Sequence, residues 1–129
     1  MKIIDGICVP KVDTLEDIQK VHEALSQVEK NNGIEKGEFK IVAQIESAKS
    51  FINMKEIFTF DKNQFNGKGR IIAAAFGADD FTADIGVHRS DNDQELDFAR
   101  KLFALTCAAF DGIVSIDTPY VHYKNQEGL

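Results

Sequence analysis

Four apolar runs punctuate the chain, and between them apolar residues recur at helical spacing. The most informative run is Ile71-Ile-Ala-Ala-Ala-Phe76, which enters a Gly77-Ala78 turn and delivers the adjacent acids Asp79 and Asp80. An unbroken apolar run bounded by glycine predicts a strand buried on both faces, as a parallel sheet requires. With Arg70 included, this is the third strand. The others are Gly6–Pro10, with Ile3 and Ile4 as a backward extension, Phe39–Glu46, and Ile113–Asp117. Pro10 cannot donate to a ladder, so pairing is expected to stop there.

The intervening stretches carry helical periodicity. Thr14 reads as an N-cap, Glu16 and Asp17 suit a first turn, and Leu15, Ile18, Val21, Leu25 and Val28 form a stripe. Asn31-Asn-Gly33 supplies the stop. Ser47 caps a second helix whose inner face is Ala48, Phe51, Ile52 and Phe58. The polar segment Asp61–Gly69 reads as a solvated loop, because it lacks P-loop spacing and precedes a strand. A short turn or helix follows Phe81 as far as Gly86. Ser90 or Asp91 then caps a long helix with Leu96, Ala99, Leu102, Phe103, Thr106 and Phe110 inward, and Asp111-Gly112 turns into the last strand.

Strands alternating with helices predict an α/β fold with a parallel sheet and right-handed crossovers. An open doubly wound sheet and a (β/α)8 barrel both satisfy the pattern. No GxGxxG follows a strand, so a dinucleotide fold has no positive support. At 129 residues the chain holds one domain or part of one. A strand starting almost at residue 1 suggests further chain upstream.

Charge narrows the function. A net charge of −6, with no basic cluster interleaved with aromatics, argues against nucleic-acid binding. No apolar stretch reaches membrane-spanning length, and the first residues lack the form of a signal peptide. Cys8 and Cys107 sit in apolar runs and read as buried, reduced thiols of an intracellular protein. His22 falls on the polar side of the first helix, and His88 and His122 are isolated. Without HxH or HxxxH spacing, zinc is disfavoured, as is a Ser-His-Asp or Cys-His arrangement.

Chemistry in α/β proteins gathers beyond the carboxyl ends of the strands. The second strand ends on Glu46 and the third delivers Asp79 and Asp80, which suggests a metal or acid–base site at one rim. Equally, these acids could cap helices or pair with a Lys or Arg; Asp79 is expected to cap the helix that follows it. Lys11 and Asp117 end the outer strands on the same rim, Lys11 as a substrate or Glu46 contact or as a solvated lysine.

Asp5–Asp13, Gln44–Lys49, Ala75–Asp84 with Ile85-Gly86, and Ile116–Tyr120 with Glu127-Gly-Leu129 occur in order at the strand ends. Together they resemble the citrate lyase β-subunit-like family of acyl-CoA carbon–carbon lyases, which includes malyl-CoA and citramalyl-CoA lyases. The resemblance covers essentially the whole chain, 1–129. It implies a partial (β/α)8 TIM barrel of four strand–helix units corresponding to strands 4–7, a whole barrel needing about 250 residues. It also implies that a carboxylate-holding arginine, an acidic motif near the metal and a catalytic aspartate lie outside these residues, leaving this segment inactive alone.

The same resemblance implies Mg2+ as cofactor, with Glu46 and Asp80 as metal ligands. The backbone N–H groups of Gly77, Ala78 and Asp79 are the candidate contacts to a substrate carboxylate, with Lys11 as a further candidate. The expected partners are an acyl-CoA thioester and a 2-oxo or 2-hydroxy acid, with homo-oligomerisation of the full-length protein. The expected compartment is the cytoplasm, or the mitochondrial matrix in a eukaryote. The alternative reading is a noncatalytic segment that keeps the rim and acts by binding.

Overall fold

The computed structural model describes residues 3–120 and Lys124; His122 and the Glu127-Gly-Leu129 motif lie outside them. Four strands, β1 (Gly6–Val9), β2 (Lys40–Ile45), β3 (Ile71–Phe76) and β4 (Val114–Ile116), pair in parallel in sequential order. Between them run α1 (Leu15–Asn31), α2 (Ala48–Lys62), the short α3 (Ala78–Asp84) and α4 (Asp97–Ala108). A doubly wound sheet reverses its strand order and covers both faces. This sheet does neither: its order is unbroken and its core lies on one face, so it is of barrel type.

The local signals that set α1 and α2 are capping boxes. Thr14 Oγ1 accepts from Asp17 N while Thr14 N donates to the Asp17 carboxylate, and Ser47 with Ser50 repeats the arrangement at α2. Each such cap stabilises its helix by roughly 1 kcal/mol. Gly33, at φ 65°, ends α1 as expected. The helices bury Ile18, Leu25, Met54, Ile57, Phe58 and Phe103 against Ile41, Ala43, Ile45, Ala74 and Phe76. Phe51, Phe76, Phe81 and Phe103 form an aromatic cluster with centroids 4.7–6.2 Å apart.

Several sequence expectations are corrected here. The strands are not buried on both faces: burial alternates along β2, and every residue of β4 is exposed. Cys8 lies on the uncovered face and is exposed, whereas Cys107 is buried and its thiol is pushed up to about 11 by desolvation. Ile72 falls where the β2–β3 register skips a residue and is exposed, on the opposite face from the buried Ile71. Ile52 is 83% exposed, because the inward stripe of α2 is Ser50, Met54, Ile57, Phe58 and Asp61. Ile3 and Ile4 are exposed and unpaired in the sheet. A 3-10 turn over Gln94–Leu96 precedes α4, so neither Ser90 nor Asp91 caps it; Ser90 instead donates to Glu95.

The largest surprise sits below the strands' amino ends. Arg70 and Glu29, both fully buried, form a bidentate pair at 2.6 and 2.7 Å. Burial pushes the Glu29 carboxyl up, but Arg70 and the amides of Phe39 and Gly37 outweigh it and hold the group at about 2. Asp61, expected in a solvated loop, is fully buried: it accepts from Arg70 N, Ile71 N and His22 Nε2. A side chain on Gly69 would collide with that carboxylate, and its φ of 62° favours glycine as well. His22, expected on a polar face, is 5% exposed.

Candidate functional site

Parallel pairing places the carboxyl ends of all four strands on one rim. There a cavity of about 310 Å3 is lined by Lys11, Asp13, Glu46, Ser47, Asp80, Ala83 and Asp84. Glu46 and Asp80, singled out from the sequence, therefore share one cavity, with Lys11 among its lining residues. Four carboxylates line it, but two are already engaged. Asp13 Oδ1 accepts from Ser47 Oγ at 2.5 Å, and Asp84 Oδ2 accepts from Ala48 N at 2.8 Å. Both brace the amino end of α2, where negative charge is favoured. Glu46 and Asp80 are the acids not taken up by that end.

Glu46 is held from two sides. Its Oε1 accepts from Lys11 N at 2.8 Å, a donor aimed by a left-handed backbone at Lys11 (φ 51°). Its other oxygen lies over Gly77, where an added Cβ would come within 2.7 Å of Oε2 and 2.6 Å of Glu46 Cβ. The sequence pointed to the Lys11 side chain; the contact that fixes Glu46 is the Lys11 amide. Nothing in residue identity signals a non-glycine left-handed position, so only the structure finds it.

Ala78 N donates to Thr118 Oγ1 at 3.3 Å, and Gly77 N continues the ladder to Ile45 O at 3.0 Å. Two of the three amides expected to meet a substrate carboxylate thus have protein partners. Asp79 does not cap α3; Gly77 occupies that position and offers no side chain. Instead Asp79 pairs with Arg89 at 2.7 Å, and a chain of ion pairs continues from Arg89 to Asp93, Arg100 and Asp117. The Arg89 guanidinium, then burial opposing it, then Arg100 set the Asp93 carboxyl, with the net effect downward. Sequence reasoning missed this network, since Arg89 and Arg100 carry no motif. It ties the loop after α3 to the end of β4.

Among the described residues no group of three or more His, Cys, Asp or Glu is arranged to hold a metal ion, and no helix is long and apolar enough to cross a membrane. Two carboxylates facing a small polar cavity nevertheless fit a hard divalent ion that takes water and substrate oxygens for the rest of its shell.

Residues 2–129 match the family described as HpcH/HpaI aldolase/citrate lyase. The chain belongs to that family. The β subunit of citrate lyase from Leuconostoc mesenteroides subsp. cremoris is 34% identical over 126 residues, which is 98% of this chain and 39% of that protein. The mitochondrial citramalyl-CoA lyase of Rattus norvegicus is 27% identical, over 96% of this chain and 36% of its own length. A magnesium/glyoxylate complex of malate synthase from Haloferax volcanii superimposes with a TM-score of 0.82 at 23% identity, covering 97% of this chain and 36% of the synthase. That likeness shows the fold. This HpcH/HpaI-family chain thus spans about two fifths of the length of the curated relatives it matches.

Proposed function

We propose that this chain forms the metal-binding rim of a Mg2+-dependent carbon–carbon lyase, and that its four strands correspond to strands 4–7 of the complete barrel. The reaction is reversible cleavage of a 3-hydroxyacyl-CoA, of the citramalyl-CoA or malyl-CoA type, to acetyl-CoA and a 2-oxo acid. The observation that carries the reading is the shared cavity of Glu46 and Asp80, whose other two acids are engaged by α2. The lyase relatives and the magnesium complex of a protein with this fold point the same way.

Glu46 and Asp80 would hold the ion. When bound, Mg2+ supplies Lewis acidity at the oxygens of a 2-oxo or 2-hydroxy acid. The protein's part is positioning. Lys11 N and the bare face of Gly77 keep the Glu46 carboxylate turned into the cavity, so no side-chain rearrangement is needed as substrate arrives. Lys11, a lining residue of the cavity, and the Asp79 amide would serve a substrate carboxylate; an exchange of partner by Ala78 N would add another donor. By itself the segment is expected to hold Mg2+ weakly at best, because two carboxylates without a substrate chelate leave the shell incomplete. It is also expected not to turn over, because the carboxylate-holding arginine and catalytic aspartate that the family resemblance implies lie outside these residues.

The test is acetyl-CoA release from citramalyl-CoA and malyl-CoA, with and without chelator, by the full-length protein and its Asp80→Ala variant. Chelator-sensitive release lost in the variant is the expected result. A full-length protein inert on every such thioester would favour the binding reading, and robust turnover by the 129-residue chain would refute its expected inactivity.

A further inference from the structure

At the end of the strands opposite the Glu46 cavity, a groove of about 690 Å3 opens between α1 and the loops leading into β2 and β3. His22, Ser26, Lys30, Lys36, Phe60 and Phe65 contribute to its walls. The Asp61 carboxylate accepts from two backbone amides, so the His22 Nε2 contact at 2.8 Å carries the imidazole's proton toward Asp61. In the neutral tautomer that this contact selects, Nδ1 presents a lone pair. That atom is buried and has no hydrogen-bond partner. Buried polar atoms in native proteins are nearly always satisfied, and an exception calls for an explanation such as an absent ligand.

Two further features point to the same place. Phe65 lies parallel to the His22 ring at 5.8 Å and over the Arg70 guanidinium at 4.6 Å, yet its backbone is left-handed (φ 49°), as is that of Asn66 (φ 59°). A bulky residue in that region is strained, and such strain gathers at ligand clamps. Lys30 and Lys36 form no ion pair with an acid among the described residues; Lys36 instead approaches the Phe65 ring at 5.8 Å. The acid in the groove, Glu23, accepts from Gln19.

We propose that this groove is a second ligand site, for a flat aromatic acid that also carries an N–H or O–H donor. The acid group is held by Lys30 and Lys36, the ring packs on Phe60 in the space that Phe65 vacates, and the donor reaches His22 Nδ1 as Phe65 swings aside and its backbone leaves the left-handed region. The proposal does not rest on the lyase reading, since no residue is shared with the Glu46 cavity.

The test titrates the chain with indole-5-carboxylate, which has both groups, and with 2-naphthoate, which lacks the donor, while following the 15N resonance of His22 Nδ1. Indole-5-carboxylate is expected to bind saturably and move that resonance, with 2-naphthoate about tenfold weaker, as the loss of one buried hydrogen bond predicts. Lys30→Gln and Lys36→Gln, both surface changes, should each weaken binding several-fold, and added MgCl2 should leave the affinity unchanged. Absence of saturable binding in the millimolar range would overturn the proposal. So would equal affinity for the two acids with an unmoved His22 signal, or an affinity set by Mg2+, which would place the ligand at the other rim.

Discussion

Gly77→Ala isolates the feature on which the upper site depends. Gly77 has φ −93°, a value any residue adopts, so the substitution introduces no backbone strain. The added methyl would instead sit 2.6 Å from Glu46 Cβ and 2.7 Å from Oε2, closer than real carbon contacts come. Either β3 shifts or Glu46 swings away from Lys11 N. Overpacking of this kind costs about 1–3 kcal/mol. Losing the charge-assisted hydrogen bond from Lys11 N falls in a similar range, about 1.5–3 kcal/mol. Because one movement relieves the other contact, the total should be nearer 2 than 5 kcal/mol, since contacting residues do not add.

Thermal unfolding followed by circular dichroism gives that stability. Mn2+ titration followed by electron paramagnetic resonance gives the consequence for the ligand, a fall of about ten- to hundredfold, the scale seen when a supporting contact to a ligand is removed. In a Glu46→Gly background the Gly77→Ala substitution should cost much less than in the parent chain, because both clashing groups are already gone. Full additivity of the two substitutions, or unchanged Mn2+ affinity in Gly77→Ala, would refute the claim that the bare face of Gly77 positions Glu46.

The remaining expectations concern the lower half of the fold and its uncovered surface. Glu29 is depressed to about 2 from 4.5, so the unfolded chain binds the extra proton. Its contribution is present above pH 4.5 and is lost as pH falls toward 2, about 3 kcal/mol for a shift of this size. Glu29→Gln should flatten the acid limb of a stability–pH curve in that window, and an unchanged limb would contradict the assignment. Exposed Val114 and Ile116, the exposed Cys8 and one-sided pairing of β1 and β4 among the described residues should make the chain self-associate. Sedimentation showing a stable monomer at all concentrations would argue against a partial barrel.

Much of this molecule follows from sequence because the responsible forces are local. Thr14 and Ser47 name their helices through hydrogen bonds reaching three residues. Apolar runs name the strands, and the acids after β2 and β3 fall on one rim because parallel strands share a direction. Choosing barrel over doubly wound sheet needed the strand order, which alternation alone leaves open. The register skip at Ile72 and the phase of Ile52 likewise depend on how whole elements pack, and one residue of offset reverses a side chain's face. Polar residues separated most sharply. Glu29, Arg70, Asp61 and His22 look solvent-facing in a local window, yet they are buried because partners 39 to 41 positions away satisfy them. The grip on Glu46 is of the same kind: Lys11 lies 35 residues upstream and acts through its amide, a group every residue but proline has. Sequence therefore determined which carboxylates reach the rim, and tertiary structure decided which of them remain turned toward its cavity.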